Sequence, residues 1–104
     1  MTRDDYRYAF PSCQWCGSQA TEVHEIARGP ARQAALLERA AWLSLCRDCH
    51  NIMGSMPVAA QLAIKRIADP MGYDRVAVNR LRGRSDNAIT DGEVWQWCRR
   101  ITRQ

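Results

Sequence analysis

The chain has 104 residues, of which 46% are hydrophobic and 25% charged, and a net charge of +4. That length suits a single domain, 1–104, whose core alone is only modestly stabilising, and no apolar run reaches the roughly 18 residues a membrane span requires. The basic residues are 14 Arg and one Lys; residues 1–64 balance six Arg against six acids, while residues 65–104 set nine bases against five acids and carry the whole excess.

From the N-terminus, the first ten residues mix charge with Tyr6, Tyr8 and Phe10 and end at Pro11, an arm expected to pack against the cysteine-bearing lobe. Cys13-Gln-Trp-Cys16 comes next, and Gly17-Ser-Gln turns the chain. Ala20 to Ile26 alternates like a short strand, with Thr21, Val23 and Glu25 on one face and Glu22, His24 and Ile26 on the other. Gly29-Pro30 breaks it. Ala34, Leu37 and Ala41, set among Arg32, Glu38 and Arg39, predict an amphipathic helix over 31–43.

Leu45-Cys46-Arg-Asp-Cys49-His50 should open another helix, because thiolates at a helix N-terminus sit where the macrodipole favours negative charge; Gly54 ends or kinks it. Pro57 to Ala68 reads as a helix with Val58, Leu62, Ile67 and either Ile64 or Lys65 on its buried face, closed by Asp69-Pro70. A shorter helix is expected from Asp74 to Leu81, capped by Gly83. Thr90-Asp-Gly-Glu93 is a capping box, and the helix it starts carries an apolar stripe of Trp95, Cys98 and Ile101 with Val94 and Trp97. The tryptophans are expected in the core, and the unpaired Cys98 as a small buried hydrophobe.

Four of the five cysteines and both histidines fall between Cys13 and His50. Two C-x-x-C pairs suit Zn²⁺, since each makes a knuckle with two thiolates on one turn and two knuckles complete a tetrahedral, structural S₄ shell: Cys13, Cys16, Cys46 and Cys49. The 29 residues between Cys16 and Cys46 exceed the usual ribbon spacing, so something folded must lie inside that loop. Two disulfides would need an oxidising compartment, and the N-terminus has no apolar signal region, so a cytoplasmic setting is expected. His50 could also replace one cysteine as a zinc ligand.

The C-x-x-C pair, the strand closing on His24-Glu25-Ile26 and the Leu-Cys-x-x-Cys-His that opens a helix resemble the zinc-containing HNH endonuclease family over residues 13 to about 54. The resemblance implies an α+β fold: a small zinc-stapled ββα-metal core, treble-clef-like, over 10–56, with a helical basic extension over 57–104. In that family the strand motif is usually Asp-His-Ile or His-His-Ile, its first residue binding the catalytic metal and its second, a His, deprotonating water. Aligned on Ile26, His24 takes the metal position and Glu25 the base position, and His50 matches the metal ligand in the first turn of the helix. The family's Asn, nine residues before that His, falls on Ala41.

The same resemblance implies a metal-dependent endonuclease acting on DNA, with a second divalent ion (Mn²⁺, Ni²⁺, Zn²⁺ or Mg²⁺) at His24 and His50, and hints at phage or other DNA-processing partners. Glu25 would activate water, which a carboxylate does poorly unless burial raises its pKa. Arg28, Arg32 and Arg47 would grip flanking phosphates, and Arg80, Arg82 and Arg84 supply the C-terminal basic surface. The competing expectation is a catalytically inactive zinc module that binds DNA or a protein through the same basic half.

Overall fold

The structure, a computed structural model, describes residues 1–27 and 29–102. The N-terminal arm, for which no element is predicted from the sequence, is a helix, α1 (Arg3–Ala9). Thr2 starts it with a capping box: its hydroxyl accepts from the Asp5 amide at 3.1 Å and the Asp5 carboxylate accepts from the Thr2 amide at 2.9 Å. Two amides that a helix start would otherwise leave unpaired are thereby satisfied, and the buried Tyr6 docks the helix on the sheet.

That sheet has two antiparallel strands, β1 (Glu22–Glu25) and β2 (Trp42–Leu45), with Glu22 opposite Leu45, Val23 opposite Ser44, His24 opposite Leu43 and Glu25 opposite Trp42. The second strand corrects the helix expected over 31–43. Only α2 (Arg32–Ala35) is α-helical there, between 3-10 turns at Gly29–Ala31 and Arg39–Ala41. Trp42-Leu43-Ser44-Leu45 is a continuous buried run that one helix face could not cover, whereas pairing with β1 buries every side chain in it. Leu37, placed on the apolar face of the expected helix, is instead 89% exposed. The Trp42 indole donates to the Ala35 carbonyl at 2.7 Å and ties the end of α2 to the start of β2.

The remaining helices follow their sequence signals closely. Cys46 caps α3 (Arg47–Met53), its sulfur accepting from the Cys49 amide at 3.4 Å, and Gly54 closes it. Next come α4 (Val58–Ala68) and α5 (Arg75–Leu81), the latter capped by Asp74 and followed by Gly83 at a φ of +71°, a conformation that costs glycine little. Finally, α6 (Asp91–Thr102) opens on the expected box, with Thr90 and Glu93 each accepting from the other's amide at 3.2 Å. It lies against α4, burying Val94 and Cys98, while Trp95 is 53% exposed and so leaves the predicted stripe.

The fold is therefore α+β. One cluster of buried residues runs from Tyr6 to Cys98, drawing on both strands and on helices from each end of the chain. Among the described residues no helix is long and apolar enough to cross a membrane.

On α4, Ile67 points out while Gln61 and both Ile64 and Lys65 are buried, so a polar pair sits on the face expected to be apolar. Lys65, the one lysine of the chain, is fully buried. Its ammonium donates to the Tyr6 hydroxyl, the Trp42 carbonyl and the Asp69 carboxylate at 2.9, 2.8 and 2.8 Å. Asp69 also accepts from Tyr6 at 2.9 Å and from Arg39 at 3.1 Å. A buried ion pair must be saturated with hydrogen bonds to be tolerated, and this one cross-links α1, β2 and α4 beneath the sheet.

Candidate metal centre and adjoining cleft

The first knuckle is built by backbone bonds: the Cys13 amide donates to the Ser18 carbonyl at 2.5 Å and the Gly17 amide to the Cys13 carbonyl at 2.9 Å. Closing so tight a turn puts Gly17 at a φ of +84°, in the left-handed region. The Gln14 amide donates to the Ser44 carbonyl at 2.8 Å, which moors this knuckle to β2, one residue from the strand's end and two from Cys46. The cap of α3 supplies the second knuckle. Through these two devices Cys13, Cys16, Cys46 and Cys49 bring their sulfurs within 4.8 Å of one another, and none of the chain's cysteines is disulfide-bonded.

This spacing fits a metal ion. Ligands at about 2.3 Å around a tetrahedral Zn²⁺ stand roughly 3.8 Å apart. The Cys16 and Cys46 sulfurs are 3.7 Å apart. The local dipoles also favour thiolates: the Ser18 hydroxyl and amide bring the Cys16 thiol down to about 6, and the Cys49 amide lowers Cys46. Burial, with the three other sulfurs beside it, pushes the Cys49 thiol up, a cost that a bound cation relieves. Four thiolate donors in this arrangement could hold a metal ion such as zinc.

Beyond the cysteines, β1 and α3 bring the two histidines together. The His24 and His50 rings lie 5.1 Å apart between centroids, at 72° to each other. Neither imidazole is part of the cysteine group; among the described residues that group is the one set of three or more such donors gathered closely enough for an ion. On His50, Nδ1 is 2.5 Å from the Glu22 carboxylate, and on His24, Nε2 is 2.7 Å from the Gln61 side-chain oxygen. The His50 hydrogen bond holds the Glu22 carboxyl below the usual carboxylate range, with the Arg47 guanidinium at 3.1 Å adding to the effect.

Simple alternation puts Glu25 on the face opposite His24, yet both side chains are buried and line the same two clefts. β1 ends at Glu25 and the chain bends at Ile26, so the strict two-residue period no longer governs this position. One cleft, of about 400 Å³, is bounded by Arg3, Arg32 and both histidines. Arg3 reaches from α1 to one oxygen of Glu25 at 3.1 Å, and Arg32 from α2 to the other at 3.5 Å. The other cleft, of about 600 Å³, has Arg82 and Arg84 at its rim and an apolar side that includes Met56 and Val58.

The predicted arginines thus divide. Arg32 and Arg47 are exposed but already paired, with Glu25 and Glu22. Arg80 forms a two-pronged pair with Asp86 at 2.8 and 2.9 Å, turned away from the clefts. Arg82 and Arg84 have no carboxylate partner among the described residues and stand together at the 600 Å³ cleft, where burial and the neighbouring Arg84 lower the Arg82 guanidinium. Arg28 lies outside the described residues.

Three residues of the site escape a reading of the sequence. Arg3 carries no signal, since its place depends on α1 docking. Gln61 has one, as a lone amide in the apolar run Val58-Ala-Ala-Gln61-Leu-Ala-Ile64, and Glu22 lies two residues from the histidine on its strand. No family profile, curated protein or solved structure matches the chain.

Proposed function

We propose that the chain is a metal-dependent endonuclease of the HNH type that hydrolyses phosphodiester bonds in DNA, with zinc in the four-cysteine site and a second divalent ion between His24 and His50. The observation that carries this reading is the pair of imidazoles, drawn from β1 and α3 to a centroid distance of 5.1 Å beside the buried Glu25. The succession β1, β2, α3, with the cysteine site at the foot of the strands, supports a ββα-metal, treble-clef-like core.

In this reading zinc staples two knuckles whose segments have little core of their own. Two imidazoles suit a transition ion better than Mg²⁺, which prefers oxygen ligands, so Mn²⁺, Ni²⁺ or Zn²⁺ is the better occupant of the second site. When bound, that ion polarises a phosphoryl oxygen and stabilises the leaving oxyanion. Glu25 accepts the proton of the attacking water, while Arg3 and Arg32 fix its carboxylate and balance its buried charge. Carboxylates are weaker bases than imidazole, so cleavage should be slow. Arg82 and Arg84, with no carboxylate partner among the described residues, hold the DNA backbone along the larger cleft.

A second reading has its own support: both oxygens of Glu25 already face guanidinium groups, which favours an inactive module that binds DNA without cutting it. A plasmid-nicking assay with Mn²⁺, Ni²⁺, Zn²⁺ and Mg²⁺ separates the two. Nuclease activity requires nicking by wild type, its loss in His24→Ala and His50→Ala with the cysteine-bound metal retained, and a slower rate in Glu25→Gln. Supercoiled DNA left intact by wild type with every ion turns the assignment to the binding module.

A further inference from the structure

Hydrogen-bond direction decides which nitrogen each histidine can offer. Gln61 is 4% exposed, and its amide nitrogen donates to the Met56 carbonyl at 2.8 Å. A carbonyl can only accept, so the Gln61 amide cannot be turned over without setting two oxygens against each other. Its oxygen therefore faces His24 Nε2 at 2.7 Å, and that nitrogen must carry the proton. A neutral imidazole protonated at Nε2 has its lone pair at Nδ1. His50 is the reverse case: a carboxylate only accepts, so the Glu22 contact at 2.5 Å puts the proton on Nδ1 and the lone pair on Nε2.

We propose that Gln61 is a positioning residue that holds His24 as its Nε2–H tautomer and so commits Nδ1 to the divalent ion, resting on the metal-dependent reading above. Metal-binding histidines characteristically need such a partner on the other nitrogen, to fix both tautomer and ring orientation. Here the two partners differ in kind, a neutral amide for His24 and a carboxylate for His50. The first comes from α4, outside the stretch that carries the cysteines and histidines, and Lys65 anchors the same helix beneath the sheet. α4 thus belongs to the site as well as to the core.

The test uses the full-length, ¹⁵N-labelled protein with zinc in the cysteine site and no second ion, at a pH where both rings are neutral. Two-bond ¹H–¹⁵N correlations should show His24 as Nε2–H and His50 as Nδ1–H. In Gln61→Leu, His24 should shift to a tautomer mixture and titrated Mn²⁺ should bind about 10- to 100-fold more weakly. Gln61→Met, which fills similar space and likewise offers His24 no acceptor, should behave as Gln61→Leu does. An unchanged His50 pattern and unchanged zinc content show that each variant is folded. His24 found as Nδ1–H in wild type, or unmoved by Gln61→Leu, overturns the proposal. Wild type with the stated tautomers but no Mn²⁺ binding removes the ion from Nδ1 and sinks the nuclease reading, while the Gln61–His24 pairing stands, so the two failures are distinct.

Discussion

Replacing Asp69 by Asn isolates the buried charge beneath the sheet. Lys65 is 0% exposed, and without the carboxylate its ammonium keeps only neutral acceptors, Tyr6, Trp42 and at most the amide oxygen of the new Asn, with no counter-charge. Arg39 also loses its partner, but its side chain is 39% exposed and can turn to water. Stranding one member of a buried pair costs about 3–5 kcal/mol, a large share of the roughly 5–15 kcal/mol that holds a domain folded. The pH dependence has a definite sign. Burial pushes the Lys65 ammonium down to about 8 from its ordinary 10.5, against the upward pull of the Asp69 hydrogen bond and charge. Between those two values the unfolded chain holds a proton that the folded protein has released, so stability rises with pH. Removing Asp69 takes away the upward pull and opens that window at lower pH. The deficit of the variant should accordingly be largest on the acid side of neutrality, narrow as pH approaches 8, and stay level from there to 10.5. Urea unfolding of metal-loaded protein, followed by tryptophan fluorescence, measures it. The double variant Lys65→Met/Asp69→Asn should recover most of the loss, because it leaves no fully buried charge unpaired. A single variant that loses less than about 1 kcal/mol, or a double variant no more stable than the single, refutes this account of the pair.

Two further outcomes are expected. Native mass spectrometry should find at least one zinc ion per chain, the cysteine-bound one held equally by wild type and Cys98→Ala but lost in Cys49→Ser, and chelation should unfold the lobe containing the knuckles; a zinc count unchanged in Cys49→Ser would contradict the four-cysteine assignment. In DNA-binding titrations, Arg82→Ala and Arg84→Ala should each flatten the dependence of log K on log salt by about 0.9, whereas Arg80→Ala should change it little because Asp86 already holds that guanidinium. Equal effects at all three positions would move the contact surface off the cleft.

The C-x-x-C spacing, the caps at Cys46 and Thr90 and the glycine after α5 are legible in the chain because each is a local rule, satisfied within a few residues. The approach of His24 to His50 follows no local rule; it is expected only from the family resemblance of the motifs that carry them. The helix read over 31–43 fails because Ala34, Leu37 and Ala41 fit a helical period, while the cost of leaving Trp42 to Leu45 uncovered becomes visible only once β1 stands beside them. The capping box at Thr2 is equally local, but with Asp in place of the commoner Glu it gives a fainter signal. What only the tertiary structure decided is which partners the polar groups find: Arg3 on Glu25, Gln61 on His24, Glu22 on His50 and Lys65 on Asp69. Apart from the last, one turn apart on α4, these pairs join residues 22 to 37 positions apart in the chain. No periodicity encodes such distances; desolvation of each buried polar group selects the partner, and it acts only when packing has closed the core around it.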